Sequence, residues 1–165
     1  MVTRMKISTK LSTKQKEALQ YMKKIAQERD KLEKINYIRK RAGNKHGKKI
    51  FSEFIEHYVA EALNLNIDFP IGQKGFDAIH NETGKKFQIK ETTQSEPKIN
   101  NTGFDYLVTV KLNYDNFSVK QIAIFPKEVA IDKKHQGKQG EFRSQKKELS
   151  EHICYVDGKW KKTDI

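Results

Sequence analysis

"GFDAIHNETGKKFQIKETT", Gly75 to Thr93, is the stretch on which the fold turns. It reads as a β-hairpin: two runs of alternating apolar and polar residues flank "NETG" at 81–84, a turn-forming connection. With those four residues as the loop, His80 lies opposite Lys85 and Asp77 opposite Gln88. Directly opposed residues share a sheet face, and so do residues two apart on one strand. Any loop of even length therefore leaves Asp77, Gln88 and Lys90 on one face. Phe76, Ala78, Phe87 and Ile89 then turn to the other face, which can be buried. A three-residue loop with a bulge would move the register and undo the grouping.

Downstream, "FDYLVTVKL" (104–112) and "VKQIAIF" (119–125) read as two more strands, with "NYDNFS" as the turn between them. "YLVTV" is nearly continuous apolar and β-branched, which suits a strand covered on both faces. Pro126 ends the second strand, and "KEVAI" continues as a short helix or strand. Residues 133–147 are polar, glycine-containing and mostly basic, which predicts a mobile loop or a disordered solvated segment. "HICYV" is a last short strand before a charged tail. Trp160, in "GKWKK", reads better as a side chain folded onto the core than as a platform for a base.

Upstream, Ser12 and Gln15 make a capping-box start for a helix. Its apolar stripe runs through Leu19, Met22, Ile25, Ala26, Leu32, Ile35 and Ile38, and "RAGNKHG" (41–47) should end it. A second helix is predicted over 50–64, with a broad apolar face from Ile50, Phe51, Phe54, Ile55, Tyr58, Val59, Ala62 and Leu63. Glu53 lies near the middle of its polar side, and Glu56 and Glu61 at the two edges. Helices followed by a hairpin and further strands predict an α/β (α+β) chain with a central mixed sheet flanked by helices. The expected division is a basic helical arm, 1–46, and a core, 47–165.

The 165 residues carry a net charge of +12, and its placement is lopsided. Residues 1–50 hold 16 Lys/Arg against 4 Asp/Glu, and residues 51–165 hold 17 against 17. A phosphate backbone is the commonest partner for so much localised positive charge, and a solvated helix is the plainer reading. One cysteine excludes an intrachain disulfide and points to a reducing compartment. The first residues form no apolar signal, and no segment is apolar enough to span a membrane, so a cytoplasmic protein is expected. The five histidines have no zinc-ligand spacing and read as surface or hairpin residues.

The trio on the hairpin has a chemical use. Magnesium takes oxygen ligands and keeps several waters, so few protein ligands suffice. Asp77, the Gln88 amide oxygen and the Ile89 carbonyl can converge on one ion. The Lys90 ammonium can orient an attacking water and offset charge building on phosphorus. No residue offers a covalent nucleophile, so direct attack by water is the natural route. The plainer reading is a solvated hairpin face.

"GFDA" at 75–78 with "QIK" at 88–90 resembles the PD-(D/E)XK nuclease motif. Together with "FDYLVTVKLNYDNFSVKQIAIFPKEV", it is similar to small type II restriction endonuclease-like proteins over roughly residues 50–130. The resemblance implies a restriction-endonuclease-like core and a deoxyribonuclease dependent on Mg2+, with Mn2+ as a substitute. It implies that Asp77 is the metal-binding aspartate, that Gln88 stands at the usual Asp/Glu position, and that Lys90 is the catalytic lysine. It also implies a glutamate from the preceding helix, Glu56 first and Glu53 second. Phe76 replaces the motif's proline. Gln88 removes a negative charge, which Glu56 could restore. The partners implied are double-stranded DNA and a second copy of the chain as a homodimer. Arg39, Lys40, Arg41, Lys45, Lys48, Lys49, Thr92 and Gln94 are the expected DNA contacts. A Holliday-junction resolvase or other structure-specific nuclease is the alternative within the class. A non-catalytic DNA-binding module with a degenerate metal site is the alternative outside it.

Overall fold

Seven strands lie side by side in chain order and form one mixed sheet. They are β1 (Leu65–Asn66), β2 (Ala78–His80), β3 (Lys86–Glu91), β4 (Tyr106–Asn113), β5 (Ser118–Pro126), β6 (Ile153–Val156) and β7 (Lys159–Trp160). The computed structural model describes residues 12–34, 55–67, 75–93, 95–113 and 118–162. All neighbouring strands are antiparallel except β3 and β4, which run parallel and are joined through residues 92–105. The hairpin has the expected register, with Ala78 opposite Phe87 and Ile79 opposite Lys86. His80 is buried and clamps the loop: its Nδ1 accepts the N–H groups of Glu82 and Thr83, each at 3.2 Å.

Helix α1 (Thr13–Lys34) begins with the predicted capping box. The Gln15 N–H donates to Ser12 Oγ at 3.1 Å, and the Ser12 N–H donates to Gln15 Oε1 at 3.0 Å. The buried Gln15 also donates through Nε2 to the Tyr58 carbonyl, at 3.1 Å, on α2 (residues 55–63). The first half of α1 is thereby docked onto the core, with Met22 buried in it and Ala18 and Leu19 packed against it. The expected stripe departs from the core beyond Met22, since Ile25 is 49% exposed. The predicted stop at 41–47 and the boundary at 46 lie outside the described residues.

Alternation along the strands divides the apolar residues between two faces. On one face Ala78, Phe87, Ile89, Val108, Val110 and Leu112 pack with Ile55, Tyr58, Val59, Ala62 and Leu63 of α2. On the other, Leu107, Ala123 and Phe125 pack with Phe76, Phe104, Phe142 and Leu149. Helices thus cover one face, and the segment from α3 (Lys127–Ala130) to the start of β6 covers the other.

That second cover corrects the mobile loop expected at 133–147. The segment has a 3-10 turn at Lys133–His135, a buried His135 and a buried Ser144. Its anchor is Phe142, fully buried and edge-on to Phe125 with ring centroids 4.8 Å apart. Ser144 donates through its N–H (3.1 Å) and Oγ (2.8 Å) to Glu96, tying the cover to the β3–β4 crossover. A few long-range anchors override a solvated composition. The charged tail is a strand as well. Asp157 and Gly158 have φ of 44° and 89°, the left-handed pair that a tight hairpin needs. The turn returns Trp160 edge-on to Tyr155, at 5.1 Å, and against the first core. Among the described residues no helix is long and apolar enough to cross a membrane.

Candidate functional site

The site begins at Gly75, whose φ of +104° lies in the left-handed region that favours glycine. A Cβ there would come within 2.8 Å of Asn101 Oδ1 and 3.1 Å of Gly103 Cα. Asn101 Oδ1 itself accepts the Gly103 N–H at 2.9 Å, and this turn of the crossover passes close against the chain entering the hairpin.

This bend ends the antiparallel ladder at Ala78. The Asp77 N–H donates to the Phe87 carbonyl at 2.7 Å. Beyond it the Asp77 carboxylate takes the role of a strand, since Oδ2 accepts the Ile89 N–H at 2.7 Å. The carboxylate is thereby fixed against the centre of the Gln88-Ile89-Lys90 triplet. The N–H and C=O of one strand residue point the same way. The Ile89 carbonyl therefore opens towards the edge where Asp77 lies. Leaving the ladder has a second effect, which corrects the expected face of Phe76. It packs with Leu107 and Phe104 rather than with Phe87 and Ile89, and the Lys86 ammonium sits 5.0 Å from its ring centroid.

Gln88 and Lys90 project from the face that bears Phe142. Gln88 is in register with Leu107 and Lys90 with Thr109, both buried. Gln88 Oε1 is fully enclosed and has no hydrogen-bond partner, a condition met by no other buried polar side-chain atom among the described residues. A buried acceptor left without a donor costs about 1–3 kcal/mol. The Lys90 side chain is half-buried, and among the described residues no hydrogen bond or ion pair engages its ammonium.

The other expected residues are distributed as follows. Glu56 is half-buried on α2, a helix that packs on the Phe87–Ile89 face, opposite to Gln88 and Lys90. Thr92 is buried, and its N–H and Oγ1 both point at the Val110 carbonyl, at 2.9 and 3.4 Å. It offers no exposed hydroxyl to a phosphate. Arg39, Lys40, Arg41, Lys45, Lys48, Lys49, Gln94 and Glu53 lie outside the described residues. Among those described, no three His, Cys, Asp or Glu side chains converge in a metal-binding group. A cation held here would therefore rest on one carboxylate, an amide oxygen and a backbone carbonyl. Such oxygen donors suit magnesium, which completes its shell with water and phosphate oxygens.

Sequence reasoning missed the polar chain that walls this face. The Lys111 ammonium donates to Gln145 Oε1 at 2.6 Å, and Gln145 Nε2 donates to Ser144 Oγ at 3.2 Å. Its one local signal was the alternation of "YLVTVK", which sets Leu107, Thr109 and Lys111 on a common face. Compared with models of known protein families and with curated proteins, the chain matches none.

Proposed function

We propose that the chain is a magnesium-dependent endonuclease that hydrolyses DNA phosphodiester bonds, a type II restriction endonuclease with a restriction-endonuclease-like core. The observation that carries this reading is the enclosed, partnerless Gln88 Oε1 next to a carboxylate pinned on the following residue. An acceptor in that condition is relieved by a bound cation or its water, and the cation would also take Asp77 and the Ile89 carbonyl as ligands. When bound, magnesium would lower the pKa of a coordinated water and offset charge on the phosphate.

The chain's own residues do the rest. The Ile89 N–H holds the Asp77 carboxylate in one orientation, so one oxygen is committed and the other remains for a ligand. Lys90 supplies a positive charge on the same strand, to orient the attacking water and balance the developing negative charge. Leu107, fully buried in register with Gln88, keeps bulk water from one side, which strengthens these interactions. One site cuts one strand, so a two-fold dimer would cut both.

Plasmid digestion in magnesium tests the reading. Discrete fragments are expected, and Asp77→Ala or Lys90→Ala should lower the rate by roughly 10²-fold or more; Lys90→Ala should melt as wild type, and Asp77→Ala somewhat lower because the Ile89 N–H loses its acceptor. Activity within a few-fold of wild type in either variant would overturn the assignment. The neutral Gln88 also favours a second reading, a DNA-binding module without catalysis. That reading predicts gel retardation of the plasmid with no cutting.

A further inference from the structure

The wall of the site contains a cation that the reaction described above does not use. Lys111 follows Leu107 and Thr109 on the face that Gln88 and Lys90 share, because Val108, Val110 and Leu112 all turn to the opposite core. From a strand separation of about 4.8 Å and a two-residue advance of about 6.6 Å, its Cα lies about 8 Å from that of Lys90. The β4–β5 register shifts between Lys111 and Leu112. Bulges of this kind re-aim the side chains beside them.

The Lys111 side chain is held at the solvent-exposed end of this face. Its ammonium donates to Gln145 Oε1 at 2.6 Å. That amide is fixed in turn, since Nε2 donates to Ser144 Oγ (3.2 Å) and Ser144 donates to Glu96 (2.8 Å). Three links thus run from Lys111 to the crossover. The holder at the ammonium is neutral. Lys31, Lys134 and Lys146 are paired with Glu28, Asp132 and Glu148, whereas no carboxylate pairs with Lys111 among the described residues. An accessible, oriented ammonium with no carboxylate beside it is stabilised by an anion brought to it.

We propose that Lys111, oriented by Gln145, binds a second phosphate of the nucleic-acid strand, next to the one that meets Asp77 and Lys90; this rests on the phosphodiesterase reading. The Cα atoms of Lys90 and Lys111 are about 8 Å apart and the Lys111 ammonium is turned to Gln145, an offset that suits two successive phosphates. Gln145 is the positioning residue, and its neutrality is what leaves the charge of Lys111 available.

The experiment is equilibrium binding of a short fluorescein-labelled DNA duplex across a salt series, in EDTA so that no cleavage occurs. Lys111→Gln should weaken binding several-fold and flatten the slope of log affinity against log salt by about 0.9, the loss of one phosphate contact. Lys111→Arg should keep both. Gln145→Glu is nearly isosteric and gives Lys111 a stronger partner. It should weaken binding as Lys111→Gln does, because the charge is cancelled in place. A bond that merely braced the fold would survive that change with binding untouched. Wild-type affinity and slope in Gln145→Glu would overturn the proposal, even if Lys111→Gln failed to fold. If the wild-type chain bound no duplex at low salt, the nuclease reading itself would fall.

Discussion

Gln88 is the residue at which the proposed chemistry is most exposed to test. A neutral amide offers a cation a dipole, whereas a carboxylate offers a full charge. Gln88→Glu should therefore lower the magnesium concentration for half-maximal cleavage, without necessarily raising the maximal rate, because added charge also repels the phosphate. Gln88→Leu keeps similar bulk, removes the orphaned oxygen and should raise the metal requirement or abolish cleavage. Three superimposable metal titrations would show that Gln88 is no ligand. Gly75 acts on the same site through the backbone. Gly75→Ala places a Cβ 2.8 Å from Asn101 Oδ1 at a positive φ, a strain of roughly 1–3 kcal/mol. It should lower the melting temperature and shift Asp77, so cleavage should fall more than a comparable loss of stability elsewhere would cause. Wild-type melting and cleavage in Gly75→Ala would contradict this account of the bend.

At the level of elements, the cover over the second face depends on Phe142. Its ring is fully buried against Phe125, so Phe142→Ala should cost about 3–5 kcal/mol. Urea unfolding measures this, and a loss under 1 kcal/mol would mean that the segment is not anchored there. The same element marks the limit of what the sequence discloses. Local rules yielded the Ser12–Gln15 box, the register of the 81–84 hairpin and the strands now seen as β4, β5 and β6, because each is decided by residues close in sequence. Phe142 sits among glycines, lysines and glutamines, and its partner Phe125 belongs to a strand many residues away. No local pattern carries that contact. The dipeptide Asp157-Gly158 was a readable hairpin signal that the charged tail obscured. At the candidate site, the shared strand face of Gln88 and Lys90 follows from alternation. The swing of Phe76 does not, since it depends on a carboxylate replacing a ladder partner. The link from Lys111 to Gln145 depends on the cover and was illegible for the same reason.

For the whole molecule, buried ionisable groups set the pH range of stability. Burial pushes the Cys154 thiol up to about 12 and also raises the Tyr58 hydroxyl. Both stay protonated in the folded chain where the unfolded chain would release the proton. Their contribution is fully present below the unfolded thiol value of about 8.5 and is lost as pH rises towards 12. His152 is shifted down, chiefly by burial, although Glu151 opposes the shift. The unfolded chain therefore binds that proton more readily, and stability is lost as pH falls from about 6.5 through the lower folded value. The melting temperature should peak between these limits. A melting temperature still rising between pH 9 and pH 10.5 would contradict the alkaline arm.

The parallel pairing of β3 with β4 has a consequence for how the chain folds. The strand pairs β2–β3, β4–β5 and β6–β7 are joined by short connections and can zip locally, whereas β3 meets β4 only after residues 92–105 have closed a loop. Gln88 and Lys90 belong to one locally formed hairpin, and Leu107, Thr109 and Lys111 to the next. The first hairpin carries Asp77, Gln88 and Lys90 together, but the strand that flanks them arrives only with the second. The walled candidate site is therefore completed at the docking step that joins the two, so its final form is tied to one non-local event.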